Sequence, residues 1–313
     1  IIGISDYKDS LIGDLHFAHK DAEIFADYLR SEAGGALPEE DIWLMTNKQA
    51  TLGTIYNALN WLINETKKGD KVIIYFSGHG DVERKTLWQR GYLLTHNTPV
   101  HNYRNNAVRV EELDEIIKTL SVGNEAKVIV ILDACRSGKL ATAGPNLTAE
   151  QLEKQVENEV RILSCKSDQK SLESEFWGKG RGLFSFFLIN GLKGLADKLS
   201  NDDRVVTFEE LRSFLETNMS DALQQPGMND RRQNPVFVGD ERFELAKVED
   251  EMLAAAAMEM GIASASTSTA SRKRGIIEKG PSTNETAALT TFLSSLDLSS
   301  YVLLPDFEGI LAS

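Results

Sequence analysis

The chain has 313 residues, 42% hydrophobic and 26% charged, and 34 Lys and Arg face 47 Asp and Glu for a formal net charge of −13. This is a globular composition, long enough to bury a large core without disulfides as one domain with an appendage or as two small ones. Two cysteines exclude a disulfide framework and a four-cysteine zinc site, the acidic balance argues against a nucleic-acid surface, and no apolar run approaches the length of a membrane span.

The chain opens on Ile1-Ile2-Gly3-Ile4 without Met or a signal-peptide pattern, so a fragment or a processed product is expected. Residues 1–4 predict a short strand ending in the turn Ser5-Asp6. Phe17, Ala18, Asp21, Ala22, Phe25, Tyr28 and Leu29 recur at helical spacing. Residues 42–45 read as a strand. Ile55, Leu59, Leu62 and Ile63 form a second helical pattern that stops at Lys67-Lys68-Gly69, a usual C-terminal signal. Residues 72–76 read as a buried strand, 110–120 as a short helix, 128–132 as a wholly apolar strand and 160–163 as a weaker one. Residues 183–195 and 208–223 read as helices, the second opened by a capping box of Thr207 and Glu210, and 235–238 as a last strand. Apolar strands alternating with helices predict an α/β fold over residues 1–243, with a mostly parallel sheet covered on both faces.

Two stretches differ in composition. Residues 139–157 carry Gly, Pro, Asn and charge without a strong period and read as an exposed linker. Residues 244–313 hold an Ala run, then a Ser, Thr and Ala segment over 263–271, then Arg272-Lys273-Arg274, and read as a low-order tail or a partial appended region. That region has ten acidic and five basic residues, which leaves −8 on residues 1–243. Its last apolar stretch, 289–311, packs on the body or on a partner; the sequence does not decide between them.

Functional residues of an open parallel sheet collect beyond the carboxyl ends of its strands. Two strands end in unusual turns, Ser77-Gly78-His79-Gly80 and Asp133-Ala134-Cys135-Arg136-Ser137-Gly138. A His between two glycines predicts an exposed ring on a mobile or tightly turned backbone. If the strands are neighbours, imidazole and thiol face each other across a cleft, the arrangement a Cys nucleophile needs. A lone Cys is usually a small buried hydrophobe. The joint pattern, two Gly-containing turns 56 residues apart and each behind an apolar strand, outweighs that default.

These motifs resemble those of the caspase-like cysteine peptidases, and within them the metacaspases and their bacterial relatives. Ser77-Gly78-His79-Gly80 is similar to the family's catalytic His motif and Asp133-Ala134-Cys135-Arg136-Ser137-Gly138 to its catalytic Cys motif. Leu15-His16-Phe17-Ala18-His19-Lys20-Asp21-Ala22 is similar to its early loop-to-helix segment, with weaker support from residues 164–169 and 233–235. The resemblance spans roughly residues 1–240. It implies a caspase-like fold with a sheet of about six strands, and peptide-bond hydrolysis by a Cys–His dyad without a metal.

On that resemblance Cys135 is the nucleophile and His79 the general base toward the thiol, then the acid toward the leaving amine. The backbone N–H groups of Gly80 and Cys135 are the candidate oxyanion donors. Caspases place Gln two residues before the Cys and hold an acidic P1 side chain with arginines; here that position is Asp133, and a carboxylate there favours Arg or Lys. The resemblance adds Asp21 and Ser77 to the same pocket. The expected activity is therefore endopeptidase cleavage after Arg or Lys in protein or peptide substrates. A catalytically silent caspase-like scaffold or regulator is the alternative, against which the presence of both His79 and Cys135 counts. A Cys–His acyltransferase or amidase of another fold is a third reading.

Lys139 and Lys154 in the linker, and Arg272-Lys273-Arg274 in the tail, suit a basic P1 pocket and are candidate self-processing sites; the alternative is that they are solubilising charges. Many relatives need calcium and carry an acidic residue soon after the catalytic Cys, where this chain has Lys139-Leu140-Ala141-Thr142. No cofactor or metal is therefore expected, and Glu111, Glu112 and the Asp202-Asp203 pair, which a calcium site could use, read as solvated surface. Cys165 reads as structural, and His16, His19, His96 and His101 as surface or loop residues. The loop at residues 177–182 is Gly-rich and basic but lacks the Gly-Lys-Ser/Thr spacing of a phosphate loop, and reads as a substrate-binding or surface loop. The scarcity of Cys fits a reducing, cytoplasmic setting. No nucleic-acid or membrane partner is expected, and the C-terminal region offers a place for a regulatory one.

Overall fold

The computed structural model describes residues 1–134, 149–224, 231–262 and 302–303. In chain order its elements begin with β1 (Ile2–Gly3), α1 (Ala18–Arg30), β2 (Met45–Thr46), α2 (Leu52–Glu65), β3 (Lys71–Gly78), β4 (Gly80–Val82), β5 (Gly91–Leu94), β6 (Ala107–Arg109), α3 (Val110–Lys118) and β7 (Lys127–Ala134). They continue with α4 (Ala149–Asn158), β8 (Glu159–Leu163), β9 (Leu172–Ser174), β10 (Arg181–Gly182), α5 (Leu183–Asn190), α6 (Ala196–Lys198), β11 (Val205–Thr207) and α7 (Phe208–Leu223). The remainder are β12 (Val236–Val238), β13 (Glu244–Lys247), α8 (Asp250–Glu259) and β14 (Val302–Leu303).

Six strands form the central sheet in the order β12-β8-β7-β3-β1-β2. All neighbours are parallel except β12, which runs antiparallel to β8 at the edge. This is the mostly parallel, helix-covered α/β sheet of about six strands that the sequence pattern and the resemblance led us to expect. The apolar runs of β3 and β7 divide by parity between its two faces, as alternating strand side chains must. Tyr75, Ile129, Ile131, Val160 and Ile162 join one core with α1, α5 and α7. Val72, Ile74, Phe76, Val128, Val130 and Leu132 join the other with α2 and α3. Each such fully buried side chain contributes about 1.5–3 kcal/mol of burial energy. All eight residues of α5 are buried, which explains why its sequence is apolar on every side.

Most expected elements recur, but the strand read over residues 42–45 is observed as β2 at Met45–Thr46, and three larger differences stand out. Arg161, in the middle of the weakly patterned β8, is buried; Asp114 (2.6 Å) and Glu159 neutralise it, and Lys118 reaches Asp114 at 2.6 Å. A balanced set of two acids and two bases thus replaces apolar packing at that point. The helix expected over 183–195 is α5 followed by a widened turn over 191–195, where Gly194 has φ +113° and a Cβ would lie 2.6 Å from Val248. The three-stranded sheet β4-β5-β6 lies outside every strand read from the sequence.

The two compositional stretches also gain structure. Residues 149–157 of the stretch read as a linker belong to α4 (Ala149–Asn158). The reading of a low-order tail from 244 onward gives way over 244–262. There β13 pairs antiparallel with β11, and α8 packs against the widened turn, with Ala256 and Met260 buried in the same core. β14 pairs antiparallel with β9, Val302 opposite Glu173 and Leu303 opposite Leu172. Among the described residues no helix is long and apolar enough to cross a membrane.

Candidate active site

The site forms where β3 and β7 end side by side. Their register sets Ser77 opposite Asp133 and Gly78 opposite Ala134. The next residue on the first strand is His79, and the next on the second is Cys135, which with Lys139 lies outside the described residues.

His79 is not the exposed ring that its two glycines suggested: it is 1% exposed. The loop over residues 7–14 covers it. Its backbone N–H donates to Tyr7 Oη at 2.8 Å, and the two rings stand 4.9 Å apart. Its Nε2 lies 2.7 Å from the Gly13 carbonyl. A carbonyl only accepts, so Nε2 carries the proton and Nδ1 of the neutral ring keeps its lone pair. Burial holds the ring neutral, its pKa lowered from 6.5 to about 4, with the Gly13 bond and the Asp14 charge opposing that shift. Gly80 is buried in β4 opposite Leu93. Tyr7 and Gly13 carry no motif; neither is marked in the sequence, and they reach His79 through the loop that follows β1.

Below the strand ends, Asp21, Ser77 and Asp133 line one small cavity with Leu15, Ala18 and Glu173. The three residues assigned to a specificity pocket are thus together. Asp133 is 5% exposed, and its Oδ1 has no hydrogen-bond partner among the described residues. Burial and then the Asp21 carboxylate raise its pKa from 3.8 to about 7, partly offset by the Ser171 and Ser164 hydroxyls beside it. Gly182 separates the two acids: a Cβ there would lie 3.0 Å from Asp133 Oδ2 and 3.1 Å from Asp21 Oδ2. Close approach, not a special backbone angle, is what requires glycine at this position.

Asp21 is not a free carboxylate. Its Oδ1 accepts from Arg181 Nε at 3.1 Å and its Oδ2 from the Gly182 N–H at 2.9 Å. Burial raises its pKa, and the Arg181 charge and these bonds pull it back. The Gly-rich basic loop at residues 177–182 therefore supplies a wall and a counter-charge to the cavity. Glu173, on β9, is a third carboxylate that the sequence did not mark. Its two oxygens accept from the His16 N–H at 2.9 Å and the Phe17 N–H at 3.0 Å, the unsatisfied donors at the start of α1. Its pKa is raised by burial.

The acidic and histidine side chains that a metal site could have used do not converge. The His19 ring bonds Ser5 Oγ at 2.8 Å while Asp21 faces Arg181. Glu111 pairs with Arg90 at 3.8 Å, Glu112 with Arg109 at 3.0 Å and Asp202 with Lys198 at 2.9 Å. Among the described residues no group of three or more His, Cys, Asp or Glu is placed to hold a metal ion. Cys165 is buried, its thiol 3.5 Å from the carbonyls of Ala134 and Gln169. Lys154 lies in α4, 3.5 Å from Glu125.

The caspase domain model of the C14 peptidases matches residues 1–243. A solved structure, the protein GSU0716 from Geobacter sulfurreducens, has a TM-score of 0.50 and 17% identity, over 80% of this chain and 94% of that one. At that identity the likeness is one of fold. Among curated proteins none matches the chain.

Proposed function

This chain belongs to the caspase-domain family of cysteine peptidases, and we propose that it is an endopeptidase that cleaves after Arg or Lys by a Cys135–His79 dyad. One observation carries the reading. The parallel register brings Gly78, the residue before His79, opposite Ala134, the residue before Cys135, directly above a cavity lined by Asp21, Asp133 and Glu173.

In this mechanism neutral His79 is the base. Its Nε2–H is held by the Gly13 carbonyl, so Nδ1 takes the proton of the Cys135 thiol as the sulfur attacks the scissile carbonyl carbon. A ring with a pKa of about 4 favours a resting thiol–imidazole pair over a thiolate–imidazolium pair, so deprotonation accompanies attack. The backbone N–H groups of Gly80 and Cys135 hold the oxyanion. The C–N bond breaks as the imidazolium protonates the leaving amine, and water, deprotonated by the same ring, releases the acyl group from sulfur. No step calls on a metal or a cofactor.

The P1 cation is directed to the acidic cavity, whose volume of about 10 Å³ has to widen to admit it, with Asp133 as its main partner because Asp21 is engaged by Arg181. Self-processing is assigned to Lys139 in preference to Lys154. A peptidase of this kind reads its substrate as an extended strand, so cleavage at Lys154 would require α4 to open. Substrates are proteins or peptides with an accessible basic residue, in a reducing compartment such as the cytoplasm, and the C-terminal region remains the place for a regulatory partner.

The test compares P1-Arg, P1-Lys and P1-Asp peptides, together with alkylation by an electrophilic P1-Arg peptide read by mass spectrometry. The reading expects cleavage after Arg and Lys and a covalent adduct on Cys135. Preference for Asp, or an adduct elsewhere, would overturn it.

A further inference from the structure

The cavity's counter-charge does not end at Arg181. Arg181 is 1% exposed and spent on every side. Its Nε donates to Asp21, and its second terminal nitrogen to the Ser185 carbonyl and hydroxyl at 2.9 and 3.0 Å. The first terminal nitrogen stands 3.5 Å from Glu259 Oε1, and the other oxygen of Glu259 stands 3.5 Å from Lys193 Nζ. Asp21, Arg181, Glu259 and Lys193 thus form a row of alternating charge that runs from the cavity to α8.

The packing around Glu259 is close. Gly178 has φ +54°, and a Cβ on it would lie 2.8 Å from Arg181 Cδ and 2.9 Å from Glu259 Oε1. The loop folds against both side chains at once, which leaves no room for any residue but glycine. Glu259 is the last residue of α8 and lies beyond residue 243, where the match to the caspase domain ends.

We propose that Glu259 is a positioning residue for P1 specificity: it anchors the far end of Arg181 and so fixes the Asp21 carboxylate in the cavity wall. The inference rests on the basic-P1 reading above. It makes α8, outside the family-matched region, a working part of the pocket. A buried guanidinium with two carboxylates divides its charge between them. Without the Glu259 carboxylate, Arg181 and Lys193 lose a shared partner, Arg181 turns its full charge on Asp21, and the cavity becomes less attractive to a cation. The scissile bond, His79 and Cys135 are not touched.

The experiment uses the full chain and its Glu259→Gln and Glu259→Asp variants, with peptides that carry Arg or its neutral isostere citrulline at P1. For Glu259→Gln the expected result is a rise in KM for the P1-Arg peptide of about fivefold, from the loss of one charge at roughly 10 Å in a partly screened site. The value of kcat stays within about twofold, and the Arg-to-citrulline ratio of kcat/KM falls by the same factor. Glu259→Asp, which keeps the charge, recovers most of that ratio. Unchanged KM and ratio in Glu259→Gln, beside a wild-type enzyme that prefers P1-Arg, overturns the inference alone. Equal losses for both peptides, tracking a lower melting temperature, assign Glu259 a structural role and also overturn it. A wild-type enzyme that favours P1-Asp overturns the basic-P1 reading itself.

Discussion

On the proposed reading Asp133 must be ionised to hold a basic P1 side chain, and its surroundings oppose that ionisation. Burial and the nearby Asp21 carboxylate lift its pKa from 3.8 to about 7. Lowering the pH therefore empties the free pocket of its main charge within the working range. Treated as a single titrating group, Asp133 is about one tenth ionised at pH 6 and about 3% at pH 5.5. For a P1-Arg peptide, kcat/KM is expected to fall about tenfold per pH unit below 7, reaching roughly 30-fold at pH 5.5. The fall lies in KM, because a bound cation holds Asp133 ionised and draws its pKa down. Asp133→Asn removes the limb and lowers kcat/KM for P1-Arg by about 10² or more, the cost of leaving a buried cation without its partner.

The same substitution has a stability consequence of opposite sign. The folded-state pKa of Asp133 lies above its unfolded value, so the folded state binds this proton more tightly. The associated stability is full below about pH 3.8 and is lost as the pH rises through about 7. The loss is on the order of 4 kcal/mol. Asp133→Asn, which never ionises, should be the more stable protein at pH 8 and close to wild type at pH 4. Initial rates from pH 5 to 9 and urea melts at pH 4 and 8 measure both effects. Flat kcat/KM between pH 7.5 and 5.5, or an Asp133→Asn enzyme that keeps both its P1-Arg preference and the limb, would refute the reasoning.

Three further outcomes follow from the site. Cys135→Ala should abolish turnover of every peptide, by about 10³-fold or more, and should also abolish any fragment produced by cleavage at Lys139; a fragment that persists on a gel belongs to another protease. Tyr7→Phe removes the acceptor of the buried His79 N–H, and should cost about 1–3 kcal/mol in urea denaturation at constant m and lower kcat more than it raises KM. His79 is held neutral, its folded pKa below its unfolded one, so the stability tied to it is present above pH 6.5 and lost as the pH falls toward about 4, on the order of 3 kcal/mol. The difference in urea stability between wild type and His79→Gln should therefore narrow across that window, and a constant difference would contradict the burial argument.

The sequence was informative where a signal is local. Val72 to Phe76 and Val128 to Leu132 are apolar without interruption, so the sheet could be read, and the motifs that follow them mark His79 and the two residues beside Ala134. What surrounds those residues is set by contacts across 66 residues for Gly13 and His79, and 160 for Asp21 and Arg181, which no local pattern encodes. The exposed-ring expectation for His79 failed for that reason: its glycines describe its chain neighbours, while the loop over 7–14 decides its burial. α8 was different, because its signal was present. Met252, Leu253, Ala256 and Met260 pack on the core at helical spacing, but the Ala run between them reads by composition as low order.

The net charge of residues 1–243 says little about substrate choice beside the arrangement of four side chains. Three carboxylates around one small cavity cannot all ionise cheaply: Asp21 and Glu173 raise the pKa of Asp133, and Asp21 raises that of Glu173. Arg181 relieves Asp21, and the first amides of α1 relieve Glu173. Asp133 receives no comparable partner and meets the deficit with a proton. On the proposed reading the P1 guanidinium or ammonium takes that proton's place, so binding a basic residue completes a charge arrangement that the fold leaves unfinished. An acidic P1 side chain would add a fourth carboxylate to the same cavity, and rejection of P1-Asp then follows from the electrostatics that favour P1-Arg.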